Sequence, residues 1–161
     1  MLVAGHRGLG VAEQQVEQEA IFTFEKIYIK DVSFESPSAP KIFGKEKTQE
    51  VTVQCDIEHK PIDDAKRFFE VVITVKVGAR QEDMTSFIVE VQQGGVFQIV
   101  GVAEEDMPGI LEVSCPNVLM PFAREVICNL IVKGGFPQLL IDPINFQARY
   151  EHNLAAQKKK V

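Results

Sequence analysis

The sequence predicts an α+β fold in which a four-stranded antiparallel sheet comes first and two helices follow, packed on one side of it. Two observations predict this order. Apolar and polar residues alternate in four segments between about Phe22 and Val91, which is the period of a half-buried strand. From Leu119 onward the apolar residues instead recur at steps of three and four, as on one face of a helix. Strands followed by helices place the helices together on one face of the sheet.

The strands are justified by their alternation and by the turn residues between them. Pro37 to Pro40, Pro61 to Asp64 and Gly78 to Asp83 are rich in Pro, Asp and Gly and indicate turns. Short loops between successive strands predict an antiparallel meander. The glycine pair Gly94–Gly95 is expected to let the chain bend away or cross over before a further apolar run. The predicted strands lie at about Phe22–Phe34, Val51–Ile57, Phe69–Val77 and Phe87–Val91.

The helices are justified by their apolar faces and their ends. In the first helix Pro116 suits the first turn and Gly134–Gly135 the end, and its apolar stripe is Leu119, Phe122, Ala123, Val126, Ile127 and Leu130. The second helix is predicted to begin with Asp142 as N-cap and Pro143 at its first position, with the stripe Phe146, Tyr150 and Leu154. The chain therefore divides into a flexible tail at 1–20, one domain at 21–156 and a second flexible tail at 157–161.

Composition narrows the function classes. The formal net charge of the 161 residues is -6, whereas binding to nucleic acid needs an excess of Lys and Arg on one face. The three cysteines, Cys55, Cys115 and Cys128, form no CxxC pair, so they predict reduced thiols of a cytosolic protein rather than a disulfide framework or a zinc site. Charges interrupt residues 1–20, which excludes a signal peptide, and no segment is expected to approach the length of a membrane span.

No residue pattern points to catalysis. The histidines His6, His59 and His152 lie near no nucleophile turn, and no GxSxG, HExxH or phosphate-loop motif occurs. The sequence therefore predicts a protein that is not an enzyme and needs no metal or cofactor.

Two features suggest binding surfaces. Asp31 and Glu35 share one parity on the first strand, and Ile88 and Glu90 share one parity on the fourth, so an outward acidic patch is predicted; an ordinary solvated face is the alternative. The apolar residues after Gly95 exceed what one face of a small sheet covers, which indicates an oligomer contact, an open groove or simply core.

Four segments carry a resemblance to a known family. The stretches at 27–40 (IYIKDVSFESPSAP), 90–97 (EVQQGGVF), 115–125 (CPNVLMPFARE) and 135–146 (GFPQLLIDPINF) resemble those of the SecB protein-export chaperones. The resemblance runs in order from about Phe22 to Leu154.

The resemblance implies a cytoplasmic homotetramer, a dimer of dimers, without membrane insertion. Such a chaperone keeps precursor proteins unfolded and delivers them to the translocase motor SecA without ATP or metal of its own. The family's SecA contact maps to Asp31, Glu35, Ile88 and Glu90, the patch found by parity. Its contact between dimers maps to Val89, Val91 and Gln93, so this face is expected to be covered by another subunit.

A groove for clients is predicted between a crossover at Gly94–Gly101 and the first long helix. Its expected lining is Phe34, Phe43, Phe97, Ile99, Met107, Ile110, Leu111 and Leu119. Members of the family often carry a tryptophan in the loop after the first strand; this chain has none, and Lys47 stands about there.

Two other readings compete with an export chaperone. One is a SecB relative dedicated to a toxin–antitoxin pair, which client capture distinguishes. The other is a hot-dog-fold thioesterase, which a test for acyl-CoA hydrolysis distinguishes; that fold places its long helix between early strands, whereas these helices come last.

Overall fold

A computed structural model describes residues 19–44 and 47–160 of the chain. Four strands precede the main helices: β1 (Ile21–Glu35), β2 (Glu50–Pro61), β3 (Phe68–Gln81) and β4 (Met84–Val100). A short 3-10 helix (Lys41–Gly44) lies between β1 and β2, and α1 (Met107–Gly109), a π-helical turn (Ile110–Ser114), α2 (Cys115–Lys133) and α3 (Phe146–Lys158) follow β4. The predicted α+β order is confirmed. Residues 1–18 of the first predicted tail lie outside the described residues. The second predicted tail, 157–161, overlaps α3 by two residues, because α3 extends to Lys158.

The sheet is fully antiparallel, but its order is β1-β4-β3-β2. β2, β3 and β4 form the expected meander, whereas β1 lies beside β4 rather than beside β2. The predicted four-strand meander is therefore wrong, and the topology is that of a Greek key. The physical reason is the connection from Glu35 to Glu50, which is long enough to carry the chain from one edge of the sheet to the other.

The predicted crossover at Gly94–Gly95 is also absent, because β4 continues through both glycines to Val100. Neighbouring side chains fill the space beside both glycines. A Cβ on Gly94 would lie 2.6 Å from the ring of Tyr28, and one on Gly95 would lie 2.7 Å from Phe97 and 2.9 Å from Leu119. These glycines therefore admit large side chains on both faces of the sheet.

The core lies between the sheet and α2. The odd-numbered residues face the helices and are buried from Phe69 to Gln81 in β3 and from Phe87 to Ile99 in β4. Leu119, Ala123 and Ile127 of the predicted stripe are fully buried against them, whereas Phe122 is 46% exposed. The helical segment begins at Met107, before the predicted first turn at Pro116. Some of its apolar residues lie in the core, and others, such as Phe122, lie on an outer face.

The third helix begins later than the sequence suggests. Asn145 is its N-cap, with a non-helical backbone and a side-chain oxygen that accepts a hydrogen bond from the Ala148 N–H at 2.9 Å. Asp142 and Pro143 instead belong to a segment without helix or strand that joins α2 to α3. This connecting segment, residues 135–145, matters because it forms one wall of the main groove.

One helical segment, Met107–Lys133, is long and apolar enough to cross a membrane by length and composition alone. The expectation that no segment reaches that length is therefore wrong. A core helix of a soluble protein passes the same test, and this one packs its buried face on β3 and β4, so the finding is weak evidence for a membrane span.

Candidate functional site

Two adjoining clefts form one groove beside β2. Their volumes are about 710 Å³ and about 510 Å³, and they share Val51 and Leu139 in their lining. One wall is the face of β2 that carries Val51, Val53 and Cys55, and the other is the connecting segment 135–145. The groove is open to solvent and has more apolar than polar lining residues, as suits an extended ligand; its polar lining side chains are Lys47, Gln49, Gln81, Gln138, Asp142 and Arg149.

One end of the groove is aromatic. Phe43 from the 3-10 helix lies with its ring centre 5.2 Å from that of Phe136, and Phe136 lies 4.9 Å from Phe87. Phe34 continues the cluster by stacking on Phe87 at 6.1 Å. Phe87 and Phe136 are buried, whereas Phe43 is 48% exposed. Phe43 thus presents an open aromatic surface backed by a rigid cluster.

Lys47 lines this same end and forms an ion pair with Glu82. Lys47 thus places a cation on a flexible stem at the aromatic end of the groove. Because both partners are well exposed, the pair contributes little to stability.

The other end of the groove is closed by Arg149 from α3. Its Nη1 donates a hydrogen bond to the backbone oxygen of Cys55, and its Nη2 lies 3.9 Å from Oδ1 of Asp56. Arg149 is thus a basic side chain in a wall that is otherwise mostly apolar. Arg149 carries no recognisable signal in the sequence, because its partner Cys55 is 94 residues away in the chain.

The connecting segment is fastened at three points. Phe136 and Ile141 are buried in the core, and the Cys128 thiol donates to the backbone oxygen of Leu139 at 3.2 Å. Between these points Leu140 is 81% exposed at the rim of the groove. The segment therefore presents apolar side chains to solvent without belonging to a helix or strand.

The predicted lining of the client groove is only partly found here. Phe43 lines the groove and Phe34 lies in its aromatic cluster. Four of the predicted lining residues are instead buried in the core: Phe97, Ile99, Leu111 and Leu119, with exposed fractions of 0%, 1%, 5% and 0%. Met107 and Ile110 are partly buried against the core and line neither cleft. The error follows from the predicted crossover: because β4 runs straight, no groove opens between it and the helix.

The outer acidic patch lies on the opposite face of the sheet, across β1 and β4. In the register of the two strands, Glu35 is opposite Ile88, Ser33 is opposite Glu90, and Asp31 is opposite Gln92. Residues opposite one another share a face, so Asp31, Glu35, Ile88 and Glu90 lie on one surface. Among the residues that the structure describes, none of the three carboxylates has an ion pair within 4 Å.

Basic residues border this patch on β3. Lys76 lies opposite Glu90 and Gly78 lies opposite Ile88, and a shallow cleft of about 310 Å³ next to Ile88 also includes Arg80. Gly78 leaves the Ile88 side chain uncovered on that side. The surface around Ile88 is therefore mixed in charge, negative towards β1 and positive towards β3.

Val89, Val91 and Gln93 do not offer a surface to another subunit. Val89 and Val91 are 0% exposed and Gln93 is 3% exposed, because the chain's own helices cover this face of the sheet. The Gln93 amide also donates to the backbone oxygen of Tyr28 at 2.9 Å. The expectation that a second subunit covers this face is therefore corrected: these residues belong to the core of the subunit.

Two of the cysteine thiols are poorly placed for nucleophilic chemistry. Burial raises the pKa of the Cys115 thiol to about 12, and burial also raises the pKa of Cys55. Both thiols are thus poor nucleophiles. Across residues 19–44 and 47–160, no three His, Cys, Asp or Glu side chains come together closely enough to hold a metal ion.

The chain is similar to a known family of proteins. The family model for SecB, described as a preprotein translocase subunit, matches residues 14–157. A protein-export protein SecB of Nitrosococcus oceani is 44% identical over 133 residues, covering 83% of this chain and 81% of the relative. One of Chromobacterium violaceum is 44% identical over 147 residues, covering 91% and 96%.

The fold is also found among solved structures. A SecB-like chaperone of Mycobacterium tuberculosis, solved with a peptide from an antitoxin, aligns with a TM-score of 0.64 over 76% of this chain and 90% of that one. The two sequences are 16% identical, so this likeness concerns the fold alone.

Proposed function

Because the chain belongs to the SecB family, we propose that it is a cytoplasmic holding chaperone for protein export, which binds unfolded precursors and delivers them to the motor SecA. It acts by binding alone, without ATP, metal or cofactor of its own. The observation that carries the proposal is the groove between β2 and the connecting segment, an open apolar channel with an aromatic end.

The groove suits unfolded chains for a physical reason. Unfolded precursors have in common exposed apolar side chains rather than a sequence, and an open apolar channel binds these by removing their surface from water. Val53 is 43% exposed on the groove wall and Leu140 is 81% exposed on the rim, so both are available before a client arrives.

The test of client holding uses light scattering of a urea-denatured precursor diluted with or without the protein. Wild type and Ile62→Asp are expected to suppress aggregation, whereas Val53→Asp loses most of this activity because a charge enters the groove wall. Ile62 is a matched control, since it is 50% exposed in the β2–β3 turn and outside both clefts. Equal suppression by the two variants would exclude the groove as the client site.

Delivery to SecA is assigned to the outer acidic patch, with Ile88 as its apolar centre. The partner is the small, basic, zinc-bound tail of SecA, as the family resemblance implies. Exposed charges of this kind set association rate and specificity and are screened over about 10 Å at 0.1 M salt, so binding weakens as salt rises. Lys76 beside Glu90 makes Asp31 and Glu35 on the edge strand the stronger contributors.

A triple variant tests delivery. Asp31→Lys, Glu35→Lys and Glu90→Lys together should abolish binding of the SecA tail while client holding survives. A control with Glu104→Lys, Glu105→Lys and Glu151→Lys makes the same change in net charge at exposed sites outside the patch. Normal tail binding by the first variant would contradict the patch assignment, and loss of both activities would contradict separate sites.

Assembly as a dimer of dimers is supported by two separate apolar surfaces. One is the helix-side face of β1, where Phe22, Phe24, Ile29 and Val32 are 41–58% exposed. The other is the outer face of α2, where Phe122 and Val132 are 46% and 51% exposed. Two surfaces on different elements are what a tetramer with two kinds of interface requires.

Sedimentation measures this assembly. The wild type should be a tetramer at micromolar concentration, Phe24→Asp and Val132→Asp should each give dimers, and the double variant should give monomers. Ile62→Asp serves again as the control. A monomeric wild type would overturn the assembly.

A further inference from the structure

β2 is an edge strand, and its outer edge borders the groove. In the sheet β2 pairs with β3 alone, and no backbone hydrogen bond from elsewhere in residues 19–44 and 47–160 reaches it. An edge strand presents unpaired N–H and C=O groups to which another extended chain can pair.

Two observations fix which residues of β2 present these groups. Ile62, directly after β2, donates its N–H to the Phe68 oxygen at 3.0 Å, so the even-numbered backbone groups point at β3. The backbone oxygen of Cys55 accepts from Arg149 outside the sheet, so an odd-numbered group points outward. The β2–β3 register has no bulge, and the direction therefore alternates throughout. Val51 and Val53 thus have outward-pointing N–H and C=O groups.

The side chains of the same residues line the groove. An extended segment lying along this edge can bond to the backbone of Val51 and Val53. It can also place every second side chain into the apolar channel, which is how peptides add to an exposed sheet edge.

Arg149 binds the next outward-pointing residue along this edge, which is Cys55. Its guanidinium holds the Cys55 oxygen and lies near the Asp56 carboxylate, and the Arg149 side chain is 33% exposed. An incoming strand would have to displace this hydrogen bond and bury the cation beside its own backbone, and charges at strand edges oppose such pairing.

We propose that a bound client segment, uncharged and extended, pairs with the β2 edge at Val51 and Val53, and that Arg149 ends this pairing at Cys55. Arg149 thereby sets the length and register of the segment that the groove accepts. The inference rests on the proposed function, because the occupant is an unfolded client.

Amide hydrogen exchange measured by NMR tests the proposal on the full-length protein with a synthetic ten-residue peptide of alternating Val and Ser. The peptide should slow exchange at Val51 and Val53 at least about tenfold and leave Cys55 unchanged. In Arg149→Met, the protection should extend to Cys55. Lys158→Met removes one positive charge from the exposed end of the same helix and should keep the wild-type pattern.

Two peptides N-methylated at alternate residues separate backbone pairing from burial. Pairing predicts that one of them loses at least about tenfold in affinity and the other does not; equal affinities would overturn it. Unchanged exchange at Cys55 in Arg149→Met would overturn the role of Arg149. If the unmodified peptide does not bind at all, it is the groove as client site that fails, and the edge-pairing proposal fails with it.

Discussion

Replacing Val91 by aspartate distinguishes a core position from a subunit contact. Val91 lies in the middle of β4, opposite Val32 of β1 and Val75 of β3, and is 0% exposed beneath the helices. If it contacted another subunit, a charge there would separate subunits that remain folded. Because it is buried within one subunit, we expect the charge to act on the fold itself.

The magnitude follows from burial. Removing a fully buried valine side chain forfeits about 2 kcal/mol of hydrophobic stabilisation. Placing a carboxyl group there without a hydrogen-bond partner costs about 2 kcal/mol more, even if it is protonated. The sum, about 4 kcal/mol, is a large part of the 5–15 kcal/mol by which domains are typically stable.

The assay is denaturant unfolding at one fixed protomer concentration, since assembly also affects the midpoint. Ile88→Asp is the matched control, because Ile88 lies three residues away on the other face of β4 and is only partly buried. Val91→Asp should be less stable than this control by about 3 kcal/mol. A Val91→Asp protein that equals the control in stability yet sediments as a dimer would refute the core placement.

Three further predictions concern the groove, the thiols and the sheet. Phe43→Ala should weaken client binding about fivefold without changing the unfolding midpoint much, because the ring is half exposed; unchanged affinity in calorimetry would contradict the aromatic end. Native protein treated with iodoacetamide at pH 8 should be modified at half-buried Cys55 but not at Cys115, whose pKa burial raises to about 12; mass spectrometry that finds Cys115 modified first would contradict this. Hydrogen bonds from Tyr28 and Lys30 lower the pKa of Glu70 from 4.5, so its stabilisation is complete above pH 4.5 and is lost as pH falls through the lowered value. The stability gap between wild type and Glu70→Gln should therefore narrow from pH 7 to pH 3, and a constant gap would contradict the assignment.

The strands and the outer patch were predictable because they depend on parity. Asp31 and Glu35 lie on one face of the sheet, as Val51 and Val53 do, because side chains at every second position of a strand point the same way. This alternation can be read from adjacent residues. The bulge between Ile29 and Asp31 lies before the patch and leaves this parity intact.

The groove was not predictable, because its walls come from distant parts of the chain. The connecting segment 135–145 has no strand or helix period, and its place beside β2 is set by the burial of Phe136 and Ile141. The crossover predicted at Gly94 and Gly95 was wrong for a related reason. A glycine indicates a break in a strand only when no close packing requires it. Here the side chain of Tyr28 fills the space beside Gly94, and that of Leu119 fills the space beside Gly95.

The placement of the two surfaces has a consequence for delivery. The row Thr52, Gly78, Ile88 and Glu35 crosses the sheet from β2 to β1. Three strand spacings of about 4.8 Å separate its ends, or about 14 Å. The groove lies at the β2 edge on the helix side, and the outer acidic patch lies across β1 and β4 on the opposite face. Asp31 and Glu35 on β1 are thus farther from β2 than the screening length of about 10 Å at 0.1 M salt, and Glu90 on β4, two spacings away, is at about that length. Charges in the patch therefore have little direct influence on a client in the groove. The proposed sites therefore predict that a client and the SecA tail occupy one subunit together, and that delivery proceeds through such a ternary complex rather than by competition for one site.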